Sequence, residues 1–111
     1  MARDEFADLV EQAVAALPPQ IRREITNVSF EVDDGRDDPH LLGLYHGVPR
    51  TERDESYTFR LPDTITVYRL PVLRRCATRE DVVRQVEVTV KHEVGHYFGI
   101  EEDRLHDLGW G

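Results

Sequence analysis

Near the start of the chain, apolar residues recur with the period of a helix. Phe6, Leu9, Val10, Ala13, Val14 and Leu17 fall at i, i+3, i+4, i+7, i+8 and i+11, a single stripe down one helical face. Pro18-Pro19 ends the stripe, because proline has no N–H to give and crowds the turn before it. Pro19 can open a further short helical turn through Ile25. The period then drops to two. Residues 27–33 (NVSFEVD) set Val28, Phe30 and Val32 against polar neighbours, the pattern of a half-buried strand. Asp34-Gly35 and Asp37-Asp38-Pro39 make a polar turn. Residues 41–46 (LLGLYH) predict a second strand and 47–57 (GVPRTERDESY) a long charged loop. Residues 63–70 (DTITVYRL) are β-branched and alternating, a third strand that Pro71 breaks.

The helical period returns over residues 78–99, the longest predicted helix. Val82, Val83, Val86, Val90, Val94, Tyr97 and Phe98 fall on one side of it. Thr78 suits the N-cap, with Asp81 three residues on in a box-like arrangement. Glu80 and Asp81 complement the positive end of the helix dipole, and Gly99 is a fitting stop. Residues 101–108 predict a short last helix with Leu105 and Leu108 facing inward and Trp110 after it. The order predicts an α+β fold: a small three- or four-stranded sheet, a backing helix and a long second helix, all in one domain over residues 1–111.

Composition narrows the picture. A chain of 111 residues supports one modest core and no two-lobed cleft. No stretch approaches the roughly 18 consecutive apolar residues of a membrane helix. The opening Met1-Ala2-Arg3-Asp4-Glu5-Phe6 carries acids where a signal peptide would carry a basic region. The expectation is a cytoplasmic protein with no membrane partner. The net charge of −8 lacks the basic footprint of a nucleic-acid binder. Lys91 is the only lysine among many arginines, a bias that fits a G+C-rich genome. Cys76 is the only cysteine, which excludes an intramolecular disulfide and a Cys-rich zinc site. It reads as a small half-buried apolar residue in preference to a nucleophile.

The chemistry concentrates in His92-Glu93-Val94-Gly95-His96. On a helix, positions i and i+4 share a face. Two imidazoles there can hold one metal, with the intervening Glu beside it to handle a water proton. The His92/His96 face lies about 130° from the centre of the apolar stripe, so the histidines look away from the core. Glu93 falls at the core-side border, where partial desolvation would raise its basicity. Gly99 extends the pattern to HExxHxxG, which metzincins complete with a third His three residues on. Glu102 stands at that position, and a His₂Glu set is an accepted catalytic zinc site. Asp103 and then His106 are the next candidates. Of the remaining residues, His40 reads as solvated, His46 and Tyr45 as strand-end residues able to line a cleft, and Tyr68 as a sheet residue able to donate to an oxyanion.

Residues 88–110 (VTVKHEVGHYFGIEEDRLHDLGW), with LLGLYHGVPRTER and DTITVYRLPVL before them, resemble the bacterial minimal zincin-like metallopeptidases. The resemblance implies a cut-down metzincin-like core, His92 and His96 as zinc ligands and Glu93 as general base. It implies an acid at the position of Glu102, often Asp in the family. The Met-turn of fuller metzincins has no counterpart, since Met1 is the only methionine. The expected activity is zinc-dependent hydrolysis of a peptide or flexible protein. Two rival readings stand beside it: a structural or catalytically silent zinc-binding interaction module, and a metal-dependent nuclease. The nuclease reading fits poorly with the acidic charge and with the Glu that follows the first His.

Overall fold

The computed structural model describes residues 1–49, 51 and 62–107, with the side chains of Glu102, Leu105 and His106 outside that description. Two helices lead, α1 (Arg3–Ala15) and α2 (Pro19–Glu24). Three strands follow: β1 (Val28–Asp33), β2 (Gly43–His46) and β3 (Asp63–Tyr68). Then come α3 (Arg69–Arg74), α4 (Arg79–Tyr97) and α5 (Glu102–Asp107). The sheet order is β1-β3-β2. β1 runs parallel to β3, with Phe30 opposite Ile65, and β2 runs antiparallel to it, with Tyr45 opposite Ile65. β2 therefore sits at a sheet edge, with no strand on its far side among the described residues.

The α+β expectation is met, with three strands among the described residues. α1 and α4 pack on each other and on the sheet. The core between them takes Phe6, Leu9, Val10 and Leu17 from α1 and its exit, Ile65 and Val67 from β3, and Val86, Val90 and Val94 from α4. β3 alternates buried and half-buried residues along its length, as a strand packed on one face does. Among the described residues no helix is long and apolar enough to cross a membrane.

α4 needs its surroundings. It contains Val82, Val83, Val86, Val88, Thr89 and Val90, β-branched residues that lose rotamer freedom in a helix. Two features compensate. Val82, Val86 and Val90 bury their side chains in the core, and the N-terminus carries a full capping box. Thr78 Oγ1 accepts from the Asp81 N–H at 3.1 Å, while Asp81 Oδ2 accepts from the Thr78 N–H at 3.2 Å and the Ala77 N–H at 3.1 Å. Those N–H groups hold the Asp81 carboxyl below its ordinary pKa.

Two boundaries differ from the sequence expectation. The second strand begins at Gly43, two residues after Leu41. The third ends at Tyr68, and Leu70 already belongs to α3. Pro71 does not break structure at that point. It is the third residue of α3 and buried, and the first turn of a helix has no use for its missing N–H. The Leu70 N–H bonds to the Asp34 carbonyl at 3.0 Å. Asp34 also binds Arg69 Nε at 3.1 Å and Arg36 at 3.2 Å. The Arg69 hydrogen bond leads in holding its carboxyl below the usual range. This cluster ties the end of β1 to the start of α3. The short final helix is present as α5; the expected inward turn of Leu105 and Leu108 and the position of Trp110 lie outside the described residues.

Candidate metal centre

The face of α4 opposite the buried valines carries Gln85, Thr89, His92 and His96, spaced four, three and four residues apart. That spacing keeps them in one stripe. β2 lies along this stripe. Gly43 makes the approach possible: a Cβ on it would stand 2.6 Å from Thr89 Cγ2 and 3.2 Å from Glu93 Cγ. The strand and helix enclose a cleft of about 690 Å³ lined by Gly43, Tyr45, His92, Glu93 and His96 among others.

Within it, His92 Nε2 and His96 Nε2 are 3.2 Å apart, with the rings nearly perpendicular at 82° and their centroids 4.9 Å apart. That separation suits a hydrogen bond, one ring donating and the other accepting, and it also suits a shared ion. Two nitrogens at about 2.0–2.1 Å from one tetrahedral zinc would stand about 3.3 Å apart. Glu93 is 6% exposed, as its place on the helical wheel leads one to expect, and its Oε2 lies 4.0 Å from His92 Nε2. His92, Glu93 and His96 together form a group whose ligand atoms all lie within 4.8 Å of one another, so they could hold a metal ion.

α4 ends as Gly99 requires. Gly99 has φ 77°, the left-handed region glycine enters at no steric cost. Its N–H bonds to the His96 carbonyl at 2.9 Å, and the Ile100 N–H reaches the Gly95 carbonyl at 3.0 Å, the two bonds of a Schellman motif. A side chain at Gly99 would run into Thr51. Beyond the turn, Pro49, Thr51, His96, Gly99 and Asp103 border a second cleft of about 620 Å³. His96 thus faces both clefts. Asp103 is exposed and is not part of the His-Glu-His group. The side chains of Glu102 and His106, the other third-ligand candidates, lie outside the described residues.

The secondary candidates separate. Tyr45 lines the first cleft, donates its hydroxyl to Asp63 Oδ2 at 2.6 Å and stands edge-on to Tyr97 at 6.2 Å. His46 and His40 are exposed and absent from the cleft's described lining. Tyr68 does not line the cleft either. Burial first, then the charges of Asp33, Glu93 and Asp37, push its hydroxyl pKa up, which weakens it as a proton donor. Cys76 is half-buried and its thiol is pushed up, chiefly by burial, away from the thiolate a nucleophile needs. Sequence reasoning missed Gly43, Thr89 and the buried Asp63, which is 2% exposed; the cross-chain contacts that make them matter leave no local signature.

A small α+β fold with a His-Glu-His group on a core-backed helix defines a zincin-type protein. The sequence matches the family of zincin-like metallopeptidases over residues 8–110, nearly the whole chain, and the protein belongs to that family. No curated protein matches it.

Proposed function

We propose that the protein is a zinc-dependent peptidase in which His92, His96 and Glu102 hold the metal and Glu93 is the general base. The observation that carries this reading is the 3.2 Å approach of the two Nε2 atoms with the buried Glu93 carboxylate beside them. Bound zinc supplies a Lewis acid and brings the pKa of a water toward about 7. Glu93 accepts a proton from the attacking water and delivers it to the leaving amine. Its 4.0 Å distance from His92 Nε2 is longer than the spacing of two ligands on one tetrahedral ion, about 3.3 Å, which favours a base over a ligand. The outer edge of β2, which carries no further strand among the described residues, orients the substrate, since an extended peptide can add to it as a further strand. The open cleft beside the histidines favours a catalytic over a purely structural site.

Metal analysis and a peptide digest test this together. Purified protein should carry about one zinc per chain. Glu93→Gln keeps that zinc and loses about 10²–10⁴-fold in hydrolysis. Zinc loss in this variant would make Glu93 a ligand, and undiminished hydrolysis would remove it as the base. Chelator competition ranks the third ligand: Glu102→Ala weakens zinc more than Asp103→Ala or His106→Ala.

A further inference from the structure

The chemistry of the first cleft changes along its length. α4 forms one wall and β2 the other, and the two run in the same direction. Gly43 lies against Thr89 and Glu93, and Tyr45, two residues on, stands against Tyr97. Away from the histidines the walls continue through Val88 and Gln85 on α4 and through Leu41, two residues before β2. At 1.5 Å per residue, Gln85 lies about 14 Å along the helix from the midpoint of the histidines.

Leu41, Leu44 and Val88 are the large apolar side chains that stand exposed among the described residues, at 36%, 42% and 38%. All three line this cleft. Arg75, the C-cap of α3, lines it too. The chain reaches α4 from Arg75 within four residues, which puts Arg75 toward the Gln85 end, away from His96. It is the only Lys or Arg in the cleft's described lining, in a chain of net charge −8.

We propose that the cleft selects an extended peptide bearing a carboxylate about four residues from the bond at the histidines, held by Arg75, with apolar side chains between them on Leu41, Leu44 and Val88. The inference rests on the peptidase reading of the His-Glu-His group. An extended chain covers about 3.4 Å per residue, so four residues span the distance. A guanidinium offers a carboxylate two parallel hydrogen bonds. The acidic surface repels carboxylates generally, so Arg75 confers a preference tied to position. The carboxylate comes either from an Asp or Glu side chain or from the peptide's own C-terminus.

The test uses fluorescent peptides with an apolar centre in four forms: a C-terminal amide with no acid, an amide with one internal Glu, an amide with one internal Lys, and a free C-terminal acid. The Glu is moved one residue at a time. Hydrolysis is read with the zinc-loaded wild-type protein, and binding by anisotropy with zinc-loaded Glu93→Gln, each with and without Arg75→Gln and Arg75→Glu. The expected result is about a tenfold preference for one Glu position, or for the free acid, over the neutral amide. Arg75→Gln removes the preference, and Arg75→Glu turns it toward the Lys peptide. The better of the Glu and free-acid arms identifies the source of the carboxylate. Cleavage with no acid preference, or a preference that survives Arg75→Gln, overturns the inference and leaves the peptidase reading intact. Arg75-dependent binding with no cleavage by wild type supports the inference and removes the peptidase reading. Absence of both binding and cleavage overturns the inference.

Discussion

On one side of α4, Val82, Val86, Val90 and Val94 follow at intervals of four and are at most 5% exposed. On the other, Gln85, His92 and His96 are half-buried along the cleft, with Thr89 and Glu93 closed off between them. The first face needs apolar volume and little else. The second needs particular atoms at particular separations, set by the helix and by β2 pressed against it at Gly43. The valine face sets how stable the helix is, and the histidine face sets what it can do. Substitutions on the two faces should therefore separate in their readouts.

The largest separation is expected at the histidines. His92→Ala or His96→Ala should take zinc from about one per chain to near none, since one remaining imidazole cannot organise the site. The metal-free protein should unfold within about 1 kcal/mol of the metal-free wild type, because neither side chain belongs to the core. Metal content and thermal unfolding of both apo forms check this. A large loss of apo stability would show that the histidine face also holds up the fold. Gly43→Ala attacks the contact between the faces. Its Cβ would press on Thr89 and Glu93, and moving β2 or Glu93 aside should cost about tenfold or more in kcat/KM for peptide and about 1–3 kcal/mol of stability. Unchanged kcat/KM would mean that β2 does not set the geometry of the site. Val90→Ala is the converse, a fully buried truncation expected to cost about 2 kcal/mol with zinc stoichiometry intact in denaturant-free buffer.

Much of this division was legible in the sequence. The wheel put the valines and the histidines on opposite sides of one helix, and Thr78, Asp81 and Gly99 marked its ends where the capping box and the Schellman turn occur. The wheel places Glu93 at the border of the core, and it is buried. What could not be read was tertiary. Nothing in LLGLYH distinguishes Gly43 as the point where β2 meets α4, and the pairing of β1 with β3 across a long excursion through β2 has no local signal. α3 has no clear signal in the sequence because Pro71 reads as a breaker, although the first helical turn accepts proline. Arg75 falls in an ordinary basic pair, and only the fold carries it to the cleft.

The smallest expected effect tests what the helix contributes by itself. α4 is rich in β-branched residues, so its intrinsic propensity is weak, and the first turn depends on the Thr78–Asp81 box. Thr78→Ala removes the hydroxyl that accepts from the Asp81 N–H at 3.1 Å, at a cost of about 1 kcal/mol. Asp81 keeps its bonds to the N–H groups of residues 77 and 78, so the turn is weakened and not abolished. The cap lies more than three turns from His92, and local fraying falls off within about one turn. Zinc affinity by chelator competition should therefore stay within about twofold of wild type, while denaturant unfolding shifts. A fall in zinc affinity matching the loss of stability would mean that α4 opens as one unit with its metal face, and that the two faces are not separable after all.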